Sequence, residues 1–358
     1  MSVVTEPAPA PAAPKPSLAA SSGKVLGRWH LLGIFAITLV VTYLLFLVTP
    51  LQGRADYGVM VVLLFALITT VLSFALEGQR YARDRLLTLC VHLALLAAIV
   101  PLFAVLIYTI NRGVKKISFN FLSHTMAGIG PFDTNGGEYH AIVGTIEQVL
   151  LTIVIAVPLG LLVAIYITEY GRGVLASAIR FVIDVMTGIP SIVAGLFIYA
   201  FWVLGLHEGF SGFAAALALA ILMLPVVVRS SEEMIKLVPD ELREASYALG
   251  VPKYKTILRI VLPTASAGIT TGVMLAIARV TGETAPLLLT SYINPNQNNS
   301  ALSGKQTALP TYIFDQAGQG RAINFDRAWA AALTLIIIVM VLYVIARLLT
   351  RRNTLARR

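Results

Sequence analysis

Eight apolar runs divide this chain, each long enough to cross a bilayer. They cover residues 31–49, 57–76, 86–110, 141–168, 178–206, 212–228, 265–291 and 328–350. A spanning helix needs about 20 mostly apolar residues. The pattern predicts an all-α polytopic membrane protein with about eight transmembrane helices. The first run outlasts the roughly 7–15 apolar residues of a cleaved signal, so it is expected to be a retained span.

The polar stretches between the runs are unequal. Residues 1–23 are rich in Ala, Pro and Ser without apolar periodicity and are expected to be a disordered tail. Residues 111–140 and 292–327 are long and carry turn-formers such as Gly136-Gly137 and Asn294-Pro295. Residues 229–264 form the one long polar interruption on the opposite side. Residues 351–358 form a short basic tail. The expected domains are thus a tail (1–23), two additional N-terminal spans (24–84), a six-span body (85–350) and the basic end (351–358).

Composition narrows the class. Hydrophobic residues make up 57% of the 358 residues and charged ones 13%, against about 25% charged in soluble domains. The mean hydropathy is +0.82. A net charge of +9 would suggest nucleic acid in a soluble protein, but here the charges sort by side. Of the 27 Lys and Arg, 19 fall on the side of the N-terminus, 7 on the other, and Arg279 inside a span. That bias places both termini in the cytoplasm. It accounts for the charge without nucleic acid as a partner. The single cysteine, Cys90, lies in an apolar run and is expected to be a small buried apolar residue.

The cytoplasmic interruption is locally well specified. Pro239 suits a helix start, Asp240 and Glu241 suit its positive end, and Gly250 followed by Pro252 suits its stop. A short polar helix over about 239–249 is predicted, with a second stretch over 253–261 leading into the seventh span. On these grounds alone it could be a solvated loop helix at the headgroups.

Ionisable residues within spans are costly and are functional candidates by default. Here they are Glu147, Asp184, Arg279 and Glu283, with Arg229 at the inner end of the sixth run. Arg279 and Glu283 lie four residues apart and are expected to share a helix face. They could neutralise each other or handle an anion, since a guanidinium fork matches an oxyanion. Asp184 precedes a break at Gly188-Ile189-Pro190. Glu147 is expected near the outer end of its span, within reach of water. Pro158, Pro190, Pro225 and Pro286 also fall within spans and can kink them. The five histidines are scattered and form no metal or nucleophile spacing, so no metal site is expected.

Four stretches carry a resemblance. Glu244-Ala245-Ser246, then Gly250, then Ile260-Val261-Leu262-Pro263, at their spacings, resemble the EAA loop of ABC importer permeases, with Ser246 in place of Ala. AIARVTGETAPLLLT (276–290), TGIPSIVAGLFIY (187–199) and LPVVVRSSEEMIKLVP (224–239) resemble phosphate importer permeases of the PstA type. The resemblance spans about 85–350 and leaves out the first two runs. It implies a type I ABC importer core of six spans in a bacterial inner membrane. It implies a coupling helix that docks on an ATPase through Glu244, Ala245, Ser246, Gly250 and Pro263. It associates Arg229 and Arg279 with phosphate passage, and Glu283 and Asp184 less directly. It implies as partners a PstC-like second permease, a PstB-like ATPase homodimer and a PstS-like extracytoplasmic phosphate-binding protein, besides membrane lipid.

The chain has no G-x-x-x-x-G-K-[ST] pattern. No catalysis and no cofactor are therefore expected on this chain, with ATP-Mg held by the partner ATPase. A permease for sulfate or molybdate, an ion-coupled carrier and a lipid-phosphate enzyme are the rival readings. The carrier would not need an ATPase-docking loop, and the enzyme would need a catalytic cluster at one interface.

Overall fold

The computed structural model describes residues 27–48, 53–130 and 132–355. The expected tail over 1–23 and residues 356–358 lie outside the described residues. The described chain is helical throughout. We number its helices α1 (Arg28–Val48), α2 (Arg54–Leu76), α3 (Gln79–Gly113), α4 (Phe119–Ser123), α5 (Tyr139–Tyr170), α6 (Val174–Thr187), α7 (Ser191–Gly205), α8 (Gly212–Lys236), α9 (Asp240–Ala248), α10 (Lys253–Thr281), α11 (Ala285–Thr290), α12 (Leu309–Gly318) and α13 (Ala322–Leu355). Seven of them are long and apolar enough to span a membrane, and α6 with α7 forms an eighth, bent by 107°.

Two compact units divide at 104/105, inside α3, later than the boundary expected at 84/85. In the first unit α1 and α2 pair through Phe46 with Tyr57 and Phe35 with Phe65, with ring centroids 5.5 and 5.7 Å apart. As one partner moves up the chain the other moves down, so the two run antiparallel. Their threonines bond back to their own helix, as from Thr38 to Ile34 O at 2.8 Å. Lipid offers no alternative partner. Cys90 is exposed, not buried. Its helix face carries Leu87 and Val91 outward, which suits lipid.

The second unit is built around α8, the most buried of the spans. Its alanines Ala214, Ala215, Ala216 and Ala218 are fully buried. Further along α8, at Val227, Ser230 and Met234, the neighbouring helices present glycine. A Cβ on Gly160 of α5 would lie 2.8 Å from Val227; on Gly268 and Gly272 of α10 it would lie 2.1 Å from Met234 and 2.4 Å from Ser230. Gly268 and Gly272 form a GxxxG pair, the small-residue device for helices that cannot use the hydrophobic effect to associate in lipid. Around these contacts Val149, Leu219, Met223, Val273, Ile277 and Leu287 close the core.

Several expectations change. The sixth run, expected to end at 228, continues as helix to Lys236, so the cytoplasmic loop is shorter than 229–264. The fifth run is broken: two helices meet at the Gly188–Pro190 break. The seventh starts at Lys253 and stops at Thr281; Gly282–Thr284 separates it from α11. The last helix runs to Leu355, so residues 351–355 of the expected tail prolong a helix. Glu147 meets a protein partner: Gln306 Nε2 donates to it at 2.6 Å, pinning the long outer segment onto α5.

Placing a methyl group at Gly272 tests the packing. Gly272→Ala should destabilise the unit by about 1–3 kcal/mol through overpacking, seen as a lower melting temperature in detergent. An unchanged melting temperature would mean that α8 and α10 can part freely.

Candidate functional site

The polar loop after α8 is built as the residues predict, with its helix one residue shorter at each end. Pro239 is the N-cap, Asp240 and Glu241 fill the first turn, and Leu249 is the C-cap. Gly250 has φ +73°. Its N–H bonds to Tyr247 O at 2.9 Å and that of Val251 to Ser246 O at 3.2 Å. This is the Schellman closure, in which the left-handed residue is normally glycine.

The loop is also fastened to the membrane body. Arg243, with its side chain 13% exposed, reaches Glu169 at the end of α5, whose side chain is 6% exposed. Its Nε and Nη2 donate to Glu169 Oε1 at 3.1 and 2.9 Å. Nη2 also donates to Ile235 O at 3.1 Å, and Nη1 to Val238 O at 2.6 Å and Asp240 Oδ1 at 2.9 Å. Lys253 adds an ammonium bond to the Glu169 carbonyl. On the other flank Ser246 is buried, and its hydroxyl pairs with Thr256 Oγ1 at 2.8 Å. Ser246 thus replaces a methyl group with a hydrogen bond to the next span. Glu169 lies in a π-helical turn, Tyr166–Tyr170, and Thr256 abuts another, Ile257–Val261. Both attachment points are where the helices widen.

The loop also leaves apolar side chains outside. Leu249 is 83% and Leu237 73% exposed, and Leu242 and Tyr247 are exposed too, beside exposed Glu244 and Ala245. Clustered exposed apolar side chains on a polar helix mark an interaction surface. Pro263 stands apart, in the first turn of the straight part of α10.

Arg229 does not stand free in its span. It donates to Asp184 of α6 and, at 3.2 Å, to Glu232 one turn on. Glu232, with a side chain 2% exposed, also accepts from Arg180 Nε at 3.3 Å and Lys236 Nζ at 2.7 Å. Three cations and two carboxylates therefore form one cluster bridging α6 and α8. Asp184, at the exposed edge of the cluster, joins α6 to Arg229 of α8. Glu232 and Arg180 were not singled out from the sequence. The signal available was Glu232 three residues after Arg229 and four before Lys236, on one helix face.

Arg279 and Glu283 do not share a helix face. α10 ends at Thr281 with Gly282 as its cap, and Glu283 N–H bonds to Val280 O in the turn beyond. Arg279 is exposed, Glu283 half-buried, and among the described residues no ion pair joins them or holds Arg279. Beyond the turn, α11 meets α7 backbone to backbone: a Cβ on Gly195 would lie 2.6 Å from Pro286 Cα. The two half-helices that follow the two breaks are thus in contact.

Residues 156–354 match the family described as the binding-protein-dependent transport system inner membrane component. The chain is 45% identical to the phosphate transport system permease protein PstA of Mycobacterium leprae, covering 76% of this chain and 90% of that protein. It is 44% identical to PstA 1 of Mycobacterium tuberculosis, over 77% and 92%, and 39% identical to PstA of Yersinia pestis, over 76% and 92%. Among solved structures it is similar in fold to a chain of a bacterial alginate ABC transporter, with TM-score 0.54 and 17% identity over 76% of this chain and 96% of that one.

Removing one side of the Arg243–Glu169 pair should leave a buried charge unpaired, at about 3–5 kcal/mol. Arg243→Ala and Glu169→Gln should each speed amide exchange across 240–256, and the double variant should cost less than the two summed. Exchange as slow as in the parent chain would show that the pair does not fasten the loop.

Proposed function

The chain belongs to the binding-protein-dependent transport system inner membrane components, within them to the phosphate permeases, and from that premise we infer how it works as the permease subunit of an ATP-driven phosphate importer. It is a multi-pass protein of the bacterial inner membrane, and it works with an ATPase and a substrate-binding protein. The finer assembly we propose is a PstC-like second permease, a PstB-like ATPase homodimer and a PstS-like binding protein. The chain itself carries out no chemistry and binds no cofactor; ATP-Mg sits on the ATPase.

The observation that carries this reading is α9. It is short, capped at both ends and exposed along an apolar face, yet tied to α5 through Arg243 and to α10 through Ser246. Such a helix moves as a rigid body. ATP-driven closure of the ATPases would carry α9 with it, through Glu244, Ala245 and the exposed leucines. Ser246 and Gly250 keep its shape, and Pro263 starts the straight stretch of α10. The displacement then passes to the ends of α5 and α8 and, through Glu232 and Asp184, to α6.

The anion would pass Arg279. A guanidinium exposed on this chain inside a span is expensive against lipid, so that face fits the pathway shared with the second permease. With no carboxylate bound to it, its charge is available to an oxyanion. Arg229 would act differently, as a cation shared between Asp184 and Glu232 that a passing anion could draw on. Glu283, in the turn beside Arg279, would keep that site from holding phosphate too tightly.

Three measurements test this. Purification in mild detergent should bring down an ATPase and a second permease, and a chain that transports phosphate alone would refute the assembly. Gly250→Val should leave the complex assembled but cut phosphate uptake per ATP hydrolysed at least tenfold, since an L side chain at that φ costs about 1–2 kcal/mol and reshapes the helix end. Arg279→Gln should abolish uptake while ATPase association persists; normal uptake would remove Arg279 from the path.

A further inference from the structure

On the side of the chain away from α9, a cavity of about 430 Å³ lies between the start of α5, α12, α13 and the outer loops. Its lining includes His140, Tyr312, Asp315, Gln316 and Arg327. His140, Tyr312, Gln316 and Arg327 are each at most 4% exposed. Each leaves one polar atom without a hydrogen-bond partner: His140 Nδ1, the Tyr312 hydroxyl, Gln316 Oε1 and Arg327 Nε. Buried polar atoms are seldom left unmatched, and these four belong to residues that line one space.

Arg327 adds a charge argument. Its Nη atoms donate to the carbonyls of Asp133 and Asn135 and, at 3.1 Å, to Asn324 Oδ1. Those partners are neutral, so among the described residues this buried guanidinium has no carboxylate. A buried charge without a counter-charge is costly. Asp315, the one acid of the lining, instead accepts from Gln316 Nε2 at 3.1 Å and Gln319 Nε2 at 3.0 Å. The Tyr312 ring meets His140 edge to face at 5.6 Å, which holds its hydroxyl in place. Burial raises the Tyr312 pKa above its ordinary value, so the phenol stays protonated and can donate.

We propose that this cavity is an outer binding site for a protonated tetrahedral oxyanion, inorganic phosphate, that receives the ion before it reaches the membrane path. The proposal rests on the phosphate-importer reading and gives it an entry point on this chain. Arg327 Nε–H and the Tyr312 O–H donate to the anion's unprotonated oxygens. Gln316 Oε1 and the Asp315 carboxylate accept from a P–OH. That mixed lining distinguishes phosphate, which keeps a P–OH at neutral pH, from sulfate, which has none and would face the carboxylate with a bare oxygen. The volume leaves room for waters beside the ion, each claiming roughly 30 Å³.

The test uses the complete importer in nanodiscs, without its binding protein, titrated calorimetrically with inorganic phosphate and with sulfate. The parent complex should bind phosphate and prefer it over sulfate. Tyr312→Phe, which keeps the ring, should weaken phosphate binding by about tenfold, the loss of one hydrogen bond to a charged group. Asp315→Asn should narrow the phosphate-over-sulfate preference by about tenfold by the same measure. Both variants should melt within a few degrees of the parent. If the complex binds no phosphate at millimolar concentration yet still imports it with the binding protein present, the cavity site is refuted and the transport reading stands. Binding that neither variant alters also refutes it. An importer that moves no phosphate under any condition overturns both.

Discussion

The guanidinium of Arg243 sits where three helices end, and the way the cytoplasmic loop is carried by the membrane body depends on it. It bonds to a carboxylate at the end of α5, two carbonyls at the end of α8 and an aspartate at the start of α9. Helix ends leave unsatisfied backbone groups, and Arg243 donates to carbonyls there, Ile235 and Val238, with the same group that pairs Glu169. A buried ion pair adds little net stability over an apolar substitute. What it contributes here is direction, because five donor contacts fix the angle between α8 and α9. A loop helix held only by its backbone hinges would swing; this one cannot without breaking the pair.

That fixing matters because of how α8 meets its neighbours. Its contacts with α5 and α10 are made at glycines, where backbone comes within reach of side-chain stems. At Gly160 and Gly272 the facing groups are the short side chains of Val227 and Ser230, which cannot bend to absorb a displacement. Packed interiors transmit strain for this reason. A push on α9 is therefore delivered to α8 through Arg243, and from α8 to α5 and α10 through the glycines. The Glu232 cluster adds α6, one side of the 107° bend. The Gly195–Pro286 contact then joins the far side of that bend to α11, just beyond the turn that follows Arg279. The loop and the breaks belong to one connected framework.

How far this was legible depends on range. The caps of α9 follow from adjacent residues, since Pro239, the two acids and Gly250 act locally, and the structure differs by a single position at each end. The end of α8 was not legible from apolar run length. The run stops at Arg229, but the helix continues because Arg229, Glu232 and Lys236 find opposite charges on α6 and on one another, which makes a polar turn tolerable near the membrane surface. The breaks at Gly188–Pro190 and Gly282–Thr284 carry glycine or proline and could be suspected. Their consequence, that Arg279 and Glu283 part company, could not, because four-residue spacing implies a shared face only if the helix persists. Gly268 and Gly272 were readable as a small-residue pair. Arg243 was not, since its partner Glu169 lies 74 residues away in the chain.

The intramembrane charges then separate by what answers them. Arg229 and Arg180 are answered within the chain by Glu232 and Asp184. Arg327 is answered only by neutral oxygens, and Arg279 by no carboxylate among the described residues. A cation in or beside a membrane that lacks an internal counter-ion must find one elsewhere, and for a protein that is half of an anion path the passing anion is the natural candidate. Full internal neutralisation would make the chain easier to insert but would leave nothing to attract the cargo. On the route we propose, the two arginines without a carboxylate among the described residues, Arg327 on the outer side and Arg279 at a helix break within the membrane, would serve as successive steps. In the assembly we propose, the second permease would have to supply the opposite wall at Arg279, which this chain leaves exposed.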